Sequence, residues 1–527
     1  MGPGPTTDRR QFLRRSGSVL AVAGVAALVP SLAGCGDTSA SAPTTTTGAG
    51  PVPWADLARS LSGPLVRPGS PDYQTDKQLY NERFDVIDPA AIAYCQSPSD
   101  VQRSIAFARR YGVATTARSG GHSYGGYSLC PGLVVDTTSM ATVTPSSGGQ
   151  QAVVGAGARL IDIYGTLGQA GLLLPGGSCP TVGIAGLALG GGVGVFGRLH
   201  GLTSDNVASL TLVSADSRVL VCDPGHNADL YWACRGGGGG NFGVVTSFTF
   251  TVHPIPPLAL FTLVYPWSAA ADVLGAWQHW SPGTPDELWS NCQLLSSGSA
   301  GGSTPLTVRV TGVFAGTPGD LSGLLAPLLS AVGPAPTSQF VGPEAYLPAM
   351  LIEAGCEGST VAQCHLPSQN PAGTQSRAAF AAKSAYVTQP MPQAGLTAVV
   401  DQVASLATEL PAEGGGMVFD AYGGAINRVP ADATAFVHRD AIAAIEYSVS
   451  WGGADPSVVP AGVTSWLDGA SGALAPYTDG AYQNYIDPTL SDWQQAYYGA
   501  NLDRLRSVKR AADPDDFFHF AQSIPPA

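Results

Sequence analysis

Three glycine-rich clusters constrain this 527-residue chain more than any other feature. "RSGGHSYGGYS" spans residues 118–128, "GGSCPTVGIAGLALGGGVGVFGRLHGLTSDNV" spans 176–207 and "DLYWACRGGGGGNFGVVTSFTF" spans 229–250. Turns alone do not need so much glycine in so short a stretch. Backbone without Cβ can approach a flat or anionic group closely, so a large flat or phosphorylated ligand explains the clusters better. The run Gly236–Gly240 leads straight into a β-branched and aromatic pattern, which reads as a strand opening beside a ligand. Two reactive side chains, His122 and Cys179, sit on these glycines. On local sequence alone, His122 is a ligand, a base, a covalent attachment point or a plain turn residue. No GxGxxG follows a strand with an acidic residue at the spacing that a Rossmann fold requires.

Around the clusters the chain reads as mixed helix and strand. "SPSDVQRSIAFARRYG" predicts a helix, with Ser99 and Gln102 at capping-box spacing, Val101, Ile105 and Ala108 on one face, and Gly112 closing it. "VATTARSGGHSYGGYS" predicts a strand entering the first cluster. "GLVVDTTSM" and "QAVVGAGA" read as strands, "LIDIYGTLGQAG" as a helix and "LTLVSADSRVLVC" as a hairpin. After "HPIPP" (His253–Pro257) the character changes. Strands such as "LTVRVTGVFAG" and "GGMVFDAYGGAINRV" alternate with Ala-rich helical stretches such as "AGLTAVVDQVASLATEL", predicting an antiparallel sheet with helices on one face. The fold class is therefore α+β.

Hydrophobic residues make up 44% and charged residues 12%, enough apolar material for a sizeable core. The formal charge of −13, with no basic cluster after the first residues, excludes nucleic acid as a natural partner. The N-terminus reads as a targeting segment. Arg9 and Arg10, then Phe12 and Leu13 and a short apolar run, match a twin-arginine export signal. "LAGC" ending at Cys35 has the pattern of a lipobox, which makes Cys35 a candidate lipid anchor. Removing residues 1–34 takes away four Arg and one Asp and brings the charge from −13 to −16. Residues 35–53 form a Ser/Thr/Pro/Gly linker suited to tethering a domain away from a membrane.

"RSGGHSYGGYS", "GSCPTVGIAGLALGGGVG", "LTSDNV", "DLYWACRGGGGGNFGVVT" and the ending "AYQNYIDPTLSDWQQAYYGANLDRLRSVKRAADPDDFFHFAQSIP" together resemble the berberine-bridge-enzyme-like flavin oxidoreductases of the vanillyl-alcohol-oxidase/PCMH superfamily. The resemblance runs from about residue 70 to the end and is nearest to bacterial sugar-oxidising members. It implies a two-part FAD-binding domain, residues 54–255 and 470–527, enclosing a substrate-binding domain at 256–469. It also implies FAD bound covalently through His122 and Cys179. Imidazole and thiolate are both nucleophiles suited to such attachment. The cofactor-binding residues carried over are Arg118, Ser119, Gly120, Gly121, Ser123, Tyr124, Gly177, Ser178, Thr181, Val182, Gly186, Gly191, Gly194, Gly240, Val245, Tyr482 and Asn484. Leu187 stands where plant members usually carry a histidine, a departure that concerns a third flavin-contacting histidine and not flavin binding.

The resemblance makes Tyr485 of "AYQNYID" the general base, supported by Tyr422 of "DAYGGAIN". A phenol with an ordinary pKa near 10 needs a hydrogen-bond donor or a positive charge beside it for that task. Val182 corresponds to the family's oxygen gatekeeper, where a small residue implies fast reaction with O2. The expected activity is oxidation of a sugar or other alcohol, with hydride leaving for the flavin and O2 giving peroxide. The alternatives are oxidation or oxidative cyclisation of a specialised metabolite, an FAD-dependent dehydrogenase with another acceptor, and a non-catalytic lipoprotein that binds flavin or glycan. No metal is expected, because Cys364 and His365 alone make no site. In an exported protein, Cys356 and Cys364 are a plausible disulfide pair.

Overall fold

The computed structural model describes residues 51–298 and 305–527. The export signal, Cys35 and nearly all of the linker lie outside the described residues. The described residues form three sheets of four or more strands and one two-stranded ladder. The first contains β1 (Leu65–Val66), β2 (Ala91–Tyr94), β3 (Thr115–Arg118) and β4 (Leu133–Asp136) in the order β1-β2-β4-β3, with β4 parallel to both β2 and β3. The second contains β5 (Val143–Pro145), β6 (Gln151–Gly155), β8 (Val207–Val213), β9 (Val219–Cys222) and β10 (Val244–Thr251) in the order β5-β6-β10-β8-β9. A small ladder joins β7 (Leu172–Leu173) to β11 (His253–Pro254). The hairpin expected in "LTLVSADSRVLVC" is the antiparallel pair β8–β9.

The helix expected near residue 100 runs Pro98–Tyr111 and buries Val101, Ile105 and Ala108. Its cap differs from the expectation. Ser97, not Ser99, accepts the Asp100 amide, because Pro98 at the first helical position needs no amide partner and pulls Ser99 into the first turn. Gly112 closes the helix at φ +63°, a left-handed conformation that suits glycine.

The third sheet is fully antiparallel and comprises β12 (Leu258–Tyr265), β13 (Leu288–Ser296), β14 (Leu306–Phe314), β15 (Ser338–Glu344), β16 (Ala379–Val387), β17 (Gly414–Ala421) and β18 (Ala443–Trp451). Its order is β15-β12-β14-β13-β17-β18-β16. Side chains alternate across a strand, and here the alternation separates two jobs. Cys292, Leu294, Met417, Phe419, Ile445 and Tyr447 are buried in the main apolar core. Helices Ala270–Trp280, Pro318–Val332, Gln393–Glu409 and Val463–Leu474 cover the sheet and contribute Trp277, Leu325, Val403 and Trp466 to the same core. The opposite face carries Trp289, Asn291, Gln293, Val418, Asp420 and Glu446 and looks towards the glycine clusters. Helix Val463–Leu474 packs on β16 and β18, so the boundary expected at 469/470 falls inside an element of this layer.

The C-terminal segment returns to the N-terminal half. Lys509 Nζ, fully buried, donates to Asp513 at 2.7 Å, to the Asn241 carbonyl at 3.0 Å and to the Phe518 carbonyl at 2.6 Å. A buried ammonium with three oxygen partners is compensated, and it pins the chain end beside the third glycine cluster.

Candidate active site

One cavity of about 430 Å³ lies between the glycine clusters and the open face of the seven-stranded sheet. Every residue expected at the site lines it except Thr181, Gly191 and Tyr422. On the glycine wall the first two clusters meet backbone to backbone. A Cβ at Gly120 would lie 2.1 Å from the Gly183 amide nitrogen, and one at Gly194 would lie 1.6 Å from the Gly176 carbonyl oxygen. Gly120 is needed where the two clusters touch, and Gly194 where the second cluster folds back on itself. Gly186 differs: it lines the cavity, and a Cβ there meets no atom within 4 Å.

His122 and Cys179 both open onto this cavity. His122 Nε2 lies 2.8 Å from Thr181 Oγ1, and the Tyr80 ring stacks on the imidazole with centroids 4.2 Å apart. Burial, helped by the nearby Arg159 charge, pushes the His122 pKa down to about 3, so the ring is neutral. Cys179 is reached from the cavity yet lies deep in the protein, where burial and the Glu446 and Asp420 charges push its thiol up to about 11. Arg118, the one basic residue lining the cavity among the described residues, is sealed by Asp136 at 2.5 Å and by the Asp76 carbonyl at 2.8 Å.

The C-terminal "AYQNYID" segment closes one end. The Tyr482 hydroxyl accepts from the Gly192 amide at 2.8 Å and from Asn484 Nδ2 at 2.8 Å, while Asn484 Nδ2 also donates to the Leu187 carbonyl at 3.0 Å. Both residues therefore fasten the segment to the second cluster as well as lining the cavity. Tyr485 stacks on Tyr124 at 5.0 Å, and the Tyr124 hydroxyl donates to Glu446 Oε1 at 2.9 Å.

Tyr422 does not line the cavity but lies behind it, in the buried cluster of Tyr386, Phe436 and Tyr482 against which Tyr485 packs. It is fully buried, its ring packs edge-on against Tyr386 at 5.4 Å, and its carbonyl accepts from Arg198. β17 ends at Ala421, so strand alternation no longer carries Tyr422 to the cavity. The residue that β17 does present is Asp420, paired in register with Asn291 of β13. Glu446 of β18 and Glu353 of helix Tyr346–Glu353 also line the cavity. Burial raises Asp420 to about 6, Glu446 to about 7 and Glu353 to about 7, the last against the Arg309 charge. Burial and the Glu446 charge push the Tyr485 phenol well above 10. Among the described residues no cation stands beside it to do the reverse.

Sequence reasoning missed Tyr80, Trp289, Glu353, Phe380, Asp420 and Glu446. For Asp420 and Glu446 the signal was present: one carboxylate in each of the otherwise uncharged strands "GGGMVFDA" and "AAIEYSVSW". A charge at a position that ought to be buried asks for a function.

Residues 89–223 match an FAD binding domain, and residues 481–525 match the segment described as berberine and berberine like. The FAD-linked oxidoreductase YgaK of Bacillus subtilis is 34% identical over 474 residues, covering 88% of this chain and 97% of that protein. The chain belongs to the berberine-bridge-enzyme-like FAD-linked oxidoreductases. A xylooligosaccharide oxidase of Thermothelomyces thermophilus is 30% identical over 493 residues, covering 90% of this chain and 94% of that protein. Among solved structures, the berberine-bridge-enzyme-like protein 1 of Physcomitrella patens superimposes with a TM-score of 0.81 at 30% identity, covering 90% of this chain and 99% of that one. The seven-stranded antiparallel sheet and the helices over it are those of the berberine-bridge-enzyme-like fold. The glycine wall fits FAD: it combines close backbone packing, an open side at Gly186 and two reactive side chains facing one space.

Cys356 and Cys364 form a disulfide with Cα atoms 5.8 Å apart. His365 next to it contacts Asp162 at 3.1 Å, which ties this loop to helix Leu160–Gln169. Among the described residues no cluster of three metal-ligating side chains occurs.

Proposed function

We propose that this enzyme is an oxidase of sugar or related alcohol hydroxyls, with FAD attached through His122 and Cys179 and O2 as electron acceptor. The observation that carries the reading is the arrangement of one cavity between two unlike walls. His122, Cys179 and glycine form one wall, while Asp420, Glu446 and Tyr485 form the other. Bound FAD supplies a two-electron acceptor for the hydride and hands the electrons on. The protein places the carbinol carbon between the walls, excludes bulk water and takes the hydroxyl proton.

We assign that proton to Asp420, the cavity carboxylate paired in register with Asn291. A carboxylate raised to about 6 is ionised at neutral pH and still basic enough to accept. Glu446, held by the Tyr124 hydroxyl, is a second proton site beside it. In this reading Tyr485, whose phenol burial and the Glu446 charge keep protonated, serves as a hydrogen-bond donor to the substrate oxygen, where the resemblance implies a base. The polar set Asn291, Gln293 and Glu353 offers donors and acceptors to further hydroxyls, and Trp289 and Phe380 offer flat apolar faces. The xylooligosaccharide oxidase relative supports a carbohydrate as the donor.

One observation favours the second reading, oxidation of a specialised metabolite. Tyr422 in place of an acid counted against it, but Tyr422 is off the cavity and acid Asp420 is on it. Export by the twin-arginine route and acylation of Cys35 complete the proposal, supported by Arg9, Arg10 and the "LAGC" sequence. The experiment is an anaerobic titration of the yellow holoenzyme with mono- and oligosaccharides, glycosides and simple alcohols, followed by flavin absorbance. Bleaching by a sugar that air reverses supports the oxidase reading. Bleaching by no carbohydrate, in protein that dithionite still reduces, defeats it in favour of a specialised donor.

A further inference from the structure

The loop that bears Cys179 also grips the other attachment residue. Thr181, two positions after Cys179, is 1% exposed and does not reach the cavity, yet its hydroxyl lies 2.8 Å from His122 Nε2. That contact depends on the tight backbone meeting of Gly120 with Gly183, each of which would drive a Cβ to within 2.3 Å of the other's amide nitrogen. The opposite side of the ring is held by Tyr80, stacked at 4.2 Å and 16°, whose own amide donates to the Gly121 carbonyl at 3.0 Å. Nδ1 of His122 has no hydrogen-bond partner among the described residues and is the nitrogen left for the cavity.

We propose that Thr181, with Tyr80, is the positioning device that makes His122 competent for flavin attachment, so that the Cys179 loop governs both tethers. The inference rests on the covalent reading given above. Attachment forms one bond from Nδ1 to the 8α carbon of the flavin. A methyl hydrogen and the imidazole N–H hydrogen leave as protons, and the two electrons pass to the ring system and on to dioxygen. The Nε2 atom thus changes from donor to acceptor during the reaction. A hydroxyl is suited to both states, because it accepts from Nε2–H before bonding and donates to the Nε2 lone pair afterwards. A backbone carbonyl or a carboxylate serves only the first state. The threonine methyl and the stacked Tyr80 ring restrict rotation, and the neutral imidazole keeps its lone pair available.

The test compares wild type with Thr181→Val, Thr181→Ser and His122→Ala, each purified as holoenzyme. The readouts are the mass of the proteolytic peptides carrying His122 and Cys179, and flavin fluorescence in denaturing gels. Thr181→Val is expected to keep flavin on Cys179 and lose at least about tenfold of the His122 linkage, approaching His122→Ala. Thr181→Ser is expected to restore it. A general packing defect would lower both linkages and the total flavin together, and would overturn the assignment. Wild-type His122 linkage in Thr181→Val overturns it too. Should valine not be accommodated, Thr181→Ala removes the hydroxyl without added bulk and is read in the same way. Wild type that carries no flavin on His122 refutes the covalent reading itself, an outcome distinct from the others.

Discussion

Replacing Asp420 with Asn should abolish turnover and stabilise the protein at the same time. The buried carboxyl titrates at about 6 instead of the ordinary 3.8. That is about a hundredfold in proton affinity, on the order of 3 kcal/mol. The sign follows from linkage. The folded state binds this proton more tightly than the unfolded state, so stability falls as pH rises between 3.8 and about 6, and the full cost persists above that range. Asparagine keeps the shape and carries no charge. Asp420→Asn should therefore unfold at higher urea or temperature than wild type at pH 7, and the gap should shrink towards pH 4. In stopped-flow reduction under anaerobic conditions, loss of a general base costs roughly 10²- to 10⁴-fold. The wild-type reduction rate should fall about tenfold per pH unit below about 6, and the variant should lack that limb. A variant that reduces its flavin within about threefold of wild type, with the acid limb intact, refutes the assignment of Asp420 as the proton acceptor.

Three further outcomes follow from the structure. Arg439 grips Asp205 through both guanidinium nitrogens, at 2.7 and 2.8 Å, with the side chains 3% and 9% exposed. Asp205→Ala leaves that charge buried alone and should cost about 3–5 kcal/mol in denaturant unfolding. At His365 burial opposes the charge, but the hydrogen bond that its imidazole donates to Asp162 outweighs it and raises the pKa above 6.5. Its stabilising effect is complete below that value and lost as pH rises through the raised one, so melting temperatures of wild type and Asp162→Asn should converge on moving from pH 5.5 to pH 8.5. Gly194→Ala places a Cβ 1.6 Å from the Gly176 carbonyl oxygen, with only backbone there to yield, and flavin content per mole of purified protein should drop sharply.

The glycine wall was legible because its constraint is local. Close backbone approach and reactive residues held on glycine leave a mark in consecutive letters, as at 118–124 and 177–183. The alternating strands of the second half and the helix at Pro98–Tyr111 were legible for the same reason, although Pro98 moved the cap by two residues. The substrate wall was not legible as a wall. Asn291, Asp420 and Glu446 are brought together by the register of β13, β17 and β18, a property of pairing between distant segments. Tyr422 shows the converse: the end of β17 at Ala421 takes it off the cavity lining and into the aromatic cluster of Tyr386 and Tyr482, against which Tyr485 packs.

The sequence by itself determined the fold class, the FAD-binding family and the glycine wall that carries His122 and Cys179, because each depends on short stretches with little conformational choice. Only the tertiary structure decided which groups of the seven-stranded sheet face the cavity and how burial shifts their ionisation. Ionisation is set by burial and by neighbours far apart in the chain: the same aspartate is acidic in water and titrates near neutrality on the open face of this sheet.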